Sequence, residues 1–297
     1  MKNLTLIFIC ISILAGCDLY QQDEYQEFYV VESYLVAGDN LPSVLLSTTS
    51  PIEKEYRFKE NAISEAEVEI RRLSADSSIE KRFPYRVTDP GIFIPTIRAK
   101  VHDQQLYQLF VRLPDGHTIE AKTYVPKHFS TTNTEELVDP YTYQSSRQIM
   151  INTTPSDYIT GRQTYYVFTV NAVEPDSAHL TPFYRDLVLD EETNIKNFYV
   201  NSSGIINEAN YELQPDHSIS LTVPWIAIAF YGPNKLITSA IDDNMYDFLR
   251  SQDAQGGGPT ISPGMIQNIR YHVSGGIGIF GSLASDTNRV TIEPARP

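Results

Sequence analysis

The sequence predicts a mainly β protein with two β-rich regions and one short helix. Tyrosine and phenylalanine, which are enriched in strands, occur 19 and 13 times among the 297 residues. Apolar and polar residues alternate over short segments, and turns rich in Gly, Pro, Asn and Asp separate these segments. Hydrophobic residues make up 41% of the chain and charged residues 20%, which is enough apolar material for a packed core.

The N-terminal residues have the pattern of an export signal. Lys2 precedes the apolar run Leu4–Leu14, which is too short to cross a bilayer but is typical of the core of a signal peptide. The run ends in Leu14-Ala15-Gly16-Cys17, which resembles the bacterial lipobox. The resemblance implies that residues 1–16 are removed and that Cys17 is lipidated. A chance cysteine after an ordinary secretory signal is the alternative.

Cysteine usage agrees with this interpretation. The chain has two cysteines, Cys10 inside the predicted signal peptide and Cys17 at the predicted lipidation site. The predicted mature chain therefore has no free thiol, which excludes disulfides, thiolate catalysis and cysteine-ligated metal sites.

Residues 17–26 are predicted to form an acidic tether. Asp18, Asp23 and Glu24 follow Cys17 closely. Acidic residues at this place resemble the surface-export signal of Bacteroidetes lipoproteins, whereas the simpler interpretation is a solvated linker.

Residues 27–126 are predicted to form an immunoglobulin-like β-sandwich. Phe28–Val36 is rich in aromatic and β-branched residues, and Pro114–Gly116 has the turn chemistry of a hairpin. Ser64–Ile70 alternates strictly and places three glutamates on one face, which we expect to be solvated. About seven short strands within roughly a hundred residues are typical of this fold.

Residues 127–146 lose the alternation and are rich in Ser, Thr, Pro and acidic residues, so they are predicted to be a linker or a long surface loop. Tyr141 and Tyr143 lie there and are interpreted either as ordinary structural tyrosines or as contact residues for a ligand.

Residues 147–297 are predicted to form the second, β-rich domain. Its strand candidates are residues 149–152, 163–171, 183–188, 218–223, 226–231 and 235–241.

One helix is predicted after residue 241. Asp242, Asp243 and Asn244 provide capping side chains, apolar residues then recur at helical spacing, and Gly256–Pro259 ends the pattern. A pair of catalytic carboxylates is the alternative interpretation of the two aspartates.

Neither a catalytic residue nor a cofactor or metal site is predicted. Gly276–Gly281 contains the letters of a dinucleotide fingerprint, but only sixteen residues follow it and they include a strand candidate. We therefore expect its glycines to let the chain bend or approach other backbone closely. The formal charge of −14, without a basic run, argues against a nucleic-acid partner.

The order of several short motifs resembles one family. They run from the lipobox through the strand that starts at Phe28 and the hairpin around Asp115-Gly116 to a closing segment, Ser274–Gly281. This order is similar to that of the Bacteroidetes lipoproteins called domain of unknown function 4249. The resemblance implies an outer-membrane lipoprotein, anchored through Cys17 and exposed at the cell surface, that accompanies a TonB-dependent receptor. It defines no catalytic residues.

The expected function is therefore a non-enzymatic accessory protein that docks on a TonB-dependent β-barrel transporter and helps to capture or admit a nutrient. One alternative is a surface glycan-binding or glycan-hydrolysing protein with acids such as Asp242 or Glu192, because glycosidase acids leave no short motif. A further alternative is an adhesin or an envelope-assembly factor.

Overall fold

A computed structural model of the chain describes residues 25–155, 164–190, 193–206, 212–255 and 269–295. These residues form sixteen β-strands and two α-helices, which confirms the mainly β class. Cys17, the signal peptide and most of the tether lie outside the described residues. Neither described helix has the length and apolar character to cross a membrane.

The first region holds the seven strands that its pattern predicts. They are β1 (Tyr29–Val36), β2 (Val44–Thr48), β3 (Glu67–Leu73), β4 (Ile79–Asp89), β5 (Ile92–Pro95), β6 (Leu106–Arg112) and β7 (Thr118–Tyr124).

The remaining described residues hold nine strands and both helices. They are β8 (Tyr141–Thr142), β9 (Ile149–Asn152), β10 (Tyr165–Ala172), α1 (Pro182–Asp190), β11 (Val200–Ile206), β12 (Glu212–Leu213), β13 (Ile219–Val223), β14 (Gly232–Ile241), α2 (Asp243–Gln255), β15 (Val273–Ser274) and β16 (Ile277–Glu293).

The first seven strands pack as a sandwich because β4 belongs to both of its layers. Residues 79–84 of β4 pair with β3, whereas residues 85–89 pair with β5. The ladder thus runs β1-β2-β5-β4 in one layer and β4-β3-β6-β7 in the other. Val31, Leu46 and Phe93 from the first layer share one buried cluster with Ile70 and Leu109 from the second.

Strand β16 joins this sandwich to the rest of the chain. Its first part pairs in parallel with β1, from Ile277 opposite Val30 to Leu283 opposite Val36. Its second part pairs antiparallel with β14, and β15 adds to the edge of the sandwich at β7. The last two strands, β15 and β16, therefore pair with strands of the predicted N-terminal domain. The domain boundaries at residues 126 and 147 remain a prediction.

The second region extends the same ladder from β16 through β14 and β10 to β11. A separate three-stranded sheet has the order β12-β13-β9. Ile151 and Leu221 of this small sheet belong to the same buried cluster as Tyr166 and Leu236 of the large one. The two sheets therefore face each other across a shared core.

The prediction of a single helix is wrong, since residues 183–188, predicted as a strand, lie in α1. Pro182 occupies the first helical position, where its fixed φ and missing N–H cost nothing. Tyr184 packs with Leu180, four residues earlier, and Leu187 and Val188 lie against the same small cluster. This spacing is helical, and the aromatic and β-branched composition of the segment concealed it.

Of residues 226–231, also predicted as a strand, the first two instead belong to a short 3-10 turn, Trp225–Ala227, and the other four follow it outside any strand. By contrast, β9, β10, β13 and β14 confirm the other strand candidates, and α2 confirms the predicted helix.

The segment predicted as a linker or long surface loop is mostly irregular but is packed into the protein. Leu137, Tyr141 and Tyr143 are all buried. Tyr141 pairs with Ile292 of β16, and the ring of Tyr143 lies 5.5 Å from that of Trp225. Both tyrosines therefore have structural roles, and neither is presented to solvent.

The glycine-rich segment before and within β16 confirms the expected close backbone approach. At Gly278, where φ is +115°, an added Cβ would lie 2.0 Å from the carbonyl oxygen of Val31. At Gly276 it would lie 2.9 Å from the carbonyl oxygen of Tyr29. Only glycine permits this parallel pairing with β1.

We predict that Gly278→Ala lowers the free energy of unfolding by about 3 kcal/mol or more. Alanine is strained at a positive φ, and its Cβ would also clash with the carbonyl oxygen of Val31 in the paired strand. Gly116→Ala is the matched control: its φ is +87° but nothing lies within 4 Å of the added Cβ. It should cost only about 1–2 kcal/mol. Denaturant unfolding measures both values. Equal losses would show that the close approach at Gly278 is not required.

Candidate functional site

A partly enclosed space with a largely apolar lining lies between the two sheets of the second region. We call it the intersheet cavity, and its volume is about 280 Å³. Strands β10, β11 and β14 form one side, and β9, β13 and the turn Trp225–Ala227 form the other. The lining residues include Ile151, Phe168, Val170, Tyr184, Asn201, Ser202, Ser203, Leu221, Val223, Pro224, Ile226, Ala227, Leu236 and Thr238.

Strand alternation explains why the inner wall is apolar. Val170 of β10 is paired with Leu236 of β14, so both side chains project from the same face of the large sheet. Leu221 and Val223, two residues apart on β13, project from the facing sheet. All four side chains are buried. Pro224 follows the last residue of β13 and leads into the turn Trp225–Ala227.

Two polar side chains of the lining hold the turn in place. The hydroxyl of Tyr184 donates to the carbonyl oxygen of Ile226 at 2.7 Å, and the amide of Asn201 donates to that of Ala227 at 3.1 Å. Burial raises the pKa of the Tyr184 hydroxyl, while its hydrogen bond with Asn201 opposes that shift. Tyr184 is therefore a neutral donor at physiological pH and serves the architecture of the cavity.

The solvent side of the cavity is marked by its more exposed lining residues. Ser202 and Ser203 lie on β11, at the end of the large sheet's ladder, and Pro224 and Ile226 lie opposite them. Ile226 is 56% exposed. The cavity thus combines an apolar interior with a mixed polar and apolar entrance, which is the composition of a small-molecule binding pocket.

Asp242 has a different role, at the junction of α2 with β7 and β16. It is 5% exposed, and its Oδ1 accepts hydrogen bonds from the backbone N–H groups of Met245 and Ser282 at 3.0 and 3.1 Å. The contact with Met245 confirms the predicted helix cap. The next residue but one, Asn244, donates to the carbonyl oxygens of Lys122 and Phe280 and so ties the same helix to both strands.

A short hydroxyl chain surrounds the other oxygen of Asp242. Thr123 Oγ1 donates to Asp242 Oδ2 at 2.5 Å and lies 2.6 Å from Ser282 Oγ, which donates to the carbonyl oxygen of Tyr124. Two hydroxyl hydrogens serve three contacts; a proton on the carboxyl group would let Asp242 donate to Thr123, so that Thr123 could instead donate to Ser282. Burial raises the pKa of Asp242, against the opposing effect of these hydrogen bonds.

The outer face of the sandwich carries an ion-pair cluster that the sequence did not predict. Glu65 and Glu67 are exposed as expected, but the prediction of a solvated face is wrong for Glu69, which is 8% exposed. Glu69 Oε1 lies 2.5 Å from both Arg71 Nη2 and Arg82 Nη1. Arg82 comes from the neighbouring strand β4, so strand pairing creates this cluster.

A polar groove of about 490 Å³ lies between β7 and the segment that leads into β15. Gln108 donates to Glu120 at 2.8 Å on one side of it. On the other side His272 Nε2 lies 2.8 Å from Asp247 Oδ2. Glu120, the carboxylate among the lining residues of this groove, is therefore already engaged with Gln108, and His272 with Asp247 outside the lining.

The structure describes some of the residues that the sequence suggests for lipidation or catalysis and leaves others outside. Cys17 and Glu192 lie outside the described residues, and Asp242 is a buried cap. Among the described residues, no cluster of three or more His, Cys, Asp or Glu side chains could hold a metal ion. Sequence reasoning missed the intersheet cavity, because its walls come from five separate strands and form no continuous motif.

Comparison with known proteins identifies a family. The family model described as Domain of unknown function (DUF4249) matches residues 18–289. No curated protein matches the sequence.

Solved structures show only distant similarity. Escherichia coli alpha-2-macroglobulin activated by porcine elastase has a TM-score of 0.25 and 8% identity, covering 90% of this chain and 20% of that chain. A tetra-tandem repeat of a large adhesion protein has a TM-score of 0.25 and 11% identity, covering 90% and 49%. The chain thus spans a fifth to a half of the length of these two proteins. We draw nothing about function from them.

We predict that the buried carboxyl of Asp242 makes the chain less stable as pH rises. A raised pKa means that folding favours the protonated form, so this stabilisation is complete below the ordinary value of 3.8 and is lost as pH rises through the folded-state pKa. Asp242→Asn removes the titration but keeps a similar shape.

Denaturant unfolding of both proteins between about pH 4 and pH 8 tests this sign. The stability of the native chain should fall relative to Asp242→Asn as pH increases. A native chain that gains stability relative to the variant over this interval would show that the hydrogen bonds outweigh burial.

Proposed function

We infer a function from the premise that the chain belongs to the family called domain of unknown function 4249. We propose that it is a non-enzymatic, lipid-anchored accessory protein of the outer membrane, exposed at the cell surface. In this proposal it docks on a TonB-dependent β-barrel transporter and helps to capture or admit a nutrient.

The observation that carries the proposal is Leu14-Ala15-Gly16-Cys17 placed directly before the family region. The family match begins at residue 18, one residue after the predicted lipidation site. Eight residues lead from Cys17 to Tyr25, the first described residue, and they span at most roughly 28 Å when extended. Lipidation of Cys17 would therefore hold the folded chain close to the membrane that contains the transporter.

The geometry favours binding over hydrolysis. The hydrolase alternative needs accessible carboxyl groups, but both oxygens of Asp242 are buried and bonded to Thr123, Met245 and Ser282. An acid in this position cannot approach a glycosidic bond. The intersheet cavity offers an apolar interior instead, which is suited to holding a molecule.

We predict that in-cell crosslinking followed by mild-detergent purification recovers the tagged lipoprotein together with a TonB-dependent barrel in near-equal amounts. Cys17→Ser should release the chain from the membrane and reduce recovery of the barrel, because anchoring raises the effective concentration of the two proteins. Cys10→Ser is the matched control, since this cysteine lies inside the predicted signal peptide, and it should leave anchoring and recovery unchanged.

Two outcomes would contradict the proposal. Recovery of the native lipoprotein without a barrel would remove the accessory role and would leave the glycan-binding and adhesin alternatives. Resistance of the lipoprotein to protease added to intact cells, under conditions that cut a known surface protein, would contradict the outward orientation.

A further inference from the structure

We propose that the intersheet cavity binds a small, largely apolar molecule, with a compact aromatic or short hydrocarbon body and one polar group at most. This inference deepens the proposed function, on which it rests for its biological role, because it names the chemical class of molecule that the lipoprotein captures. The binding itself can be tested without the anchor or the transporter.

The size of the cavity sets the size of the ligand. Its volume of about 280 Å³ is close to the lower end of the usual range for ligand pockets, which begins near 300 Å³. An apolar protein cavity of roughly 150 Å³ is sufficient to hold benzene. The intersheet cavity therefore has room for a molecule about twice the size of benzene.

The inner wall favours an apolar ligand over water. Val170, Leu221, Val223 and Leu236 present only hydrocarbon to the interior, and each is at most 6% exposed. Water stays in a cavity when it finds two to four polar partners there. Removing apolar ligand surface from water against these four side chains is favourable.

Three of the polar side chains that line the cavity are already used by the protein. Tyr184 donates to the carbonyl oxygen of Ile226, and Asn201 donates to that of Ala227. Ser203 accepts from the backbone N–H of Phe168 and donates to the carbonyl oxygen of Gly204. A saccharide needs partners for many hydroxyl groups, so this cavity selects against the glycan class and for an apolar molecule.

The entrance determines how the ligand is oriented. Ser202 is exposed on β11, and the apolar side chain of Ile226 is 56% exposed on the opposite side. An apolar body would enter the cavity along Ile226, while a single polar group would remain beside Ser202 in contact with water.

The chain carries its own reporter for this site. Trp225 is the single tryptophan, and its neighbours Pro224 and Ile226 both line the cavity. Its indole is partly buried and packs against Tyr143 with ring centroids 5.5 Å apart. A ligand that fills the cavity should therefore change the fluorescence of Trp225.

The test uses the chain from Asp18 to Pro297, which contains every strand and helix described above, purified without detergent. 1-Naphthylamine, whose fused ring pair is about twice the size of benzene and carries one polar group, is the probe, and its fluorescence should rise in a saturable manner at one molecule per chain. 10-Bromodecanoate should displace it and quench Trp225, because Pro224 and Ile226, on either side of Trp225 in the sequence, both line the cavity.

Two variants fill the cavity and one matched control does not. Ala227→Leu adds carbon atoms at a lining position, and Val170→Phe enlarges a buried side chain of the inner wall. Ala178→Leu makes the same change as the first variant in another 3-10 turn, at an exposed position away from the cavity. The filling variants should weaken binding by about tenfold or more, whereas the control should bind like the native chain.

Thermal unfolding followed by circular dichroism establishes that each variant is folded. Absence of saturable probe binding by the native chain would overturn the inference, as would unchanged binding by a folded filling variant. If both filling variants fail to fold, the quenching of Trp225 in the native chain tests the inference instead. Probe binding without quenching of Trp225 by 10-bromodecanoate would then overturn the inference. A transporter recovered with a chain that binds no apolar probe would retain the proposed function and reject this ligand class.

Discussion

The parallel ladder between the first and last long strands is the constraint on which the rest of the structure depends. Seven consecutive residues of β1 pair with Ile277–Leu283 of β16, across a sequence separation of more than 240 residues. Closing such a long loop carries an entropic cost that only extensive contacts can offset. The absence of side chains at Gly276 and Gly278 allows the two backbones to approach closely enough to form these contacts.

The same strand positions the candidate binding site. Beyond Leu283, β16 pairs with β14, and β14 pairs with β10, so one wall of the intersheet cavity is built outward from it. Helix α2 strengthens this arrangement through Asp242, whose backbone N–H and side chain both bond to Ser282 of β16. The rings of Tyr165 and Tyr246 stack at 3.6 Å and join the helix to β10. The cavity therefore depends on the strand that also closes the sandwich.

Local patterns were sufficient to predict many elements. The hairpin around Asp115-Gly116, the helix that begins after Asp242 and the close approach at Gly278 all follow from residue types that only a few conformations accept. Residues 183–188 are predicted wrongly because the strand propensity of Phe and Val competes with the helical spacing of Tyr184, Leu187 and Val188.

Features created by pairing between distant segments could not be predicted. Glu69 is buried because Arg82 reaches it from the neighbouring strand, and the pattern of Ser64–Ile70 carries no trace of that partner. The intersheet cavity likewise lies between strands of two sheets that are far apart in the sequence. Its residues look like ordinary strand residues in sequence, since only their arrangement in space leaves room for a ligand.

The central claim is that β16 makes the two β-rich regions one cooperative unit, and calorimetry tests it most directly. For the chain from Asp18 to Pro297, we expect a single unfolding transition whose calorimetric and van't Hoff enthalpies agree. Two separate transitions, or a calorimetric enthalpy well above the van't Hoff value, would show that the sandwich and the region containing the cavity unfold independently, and would contradict this account.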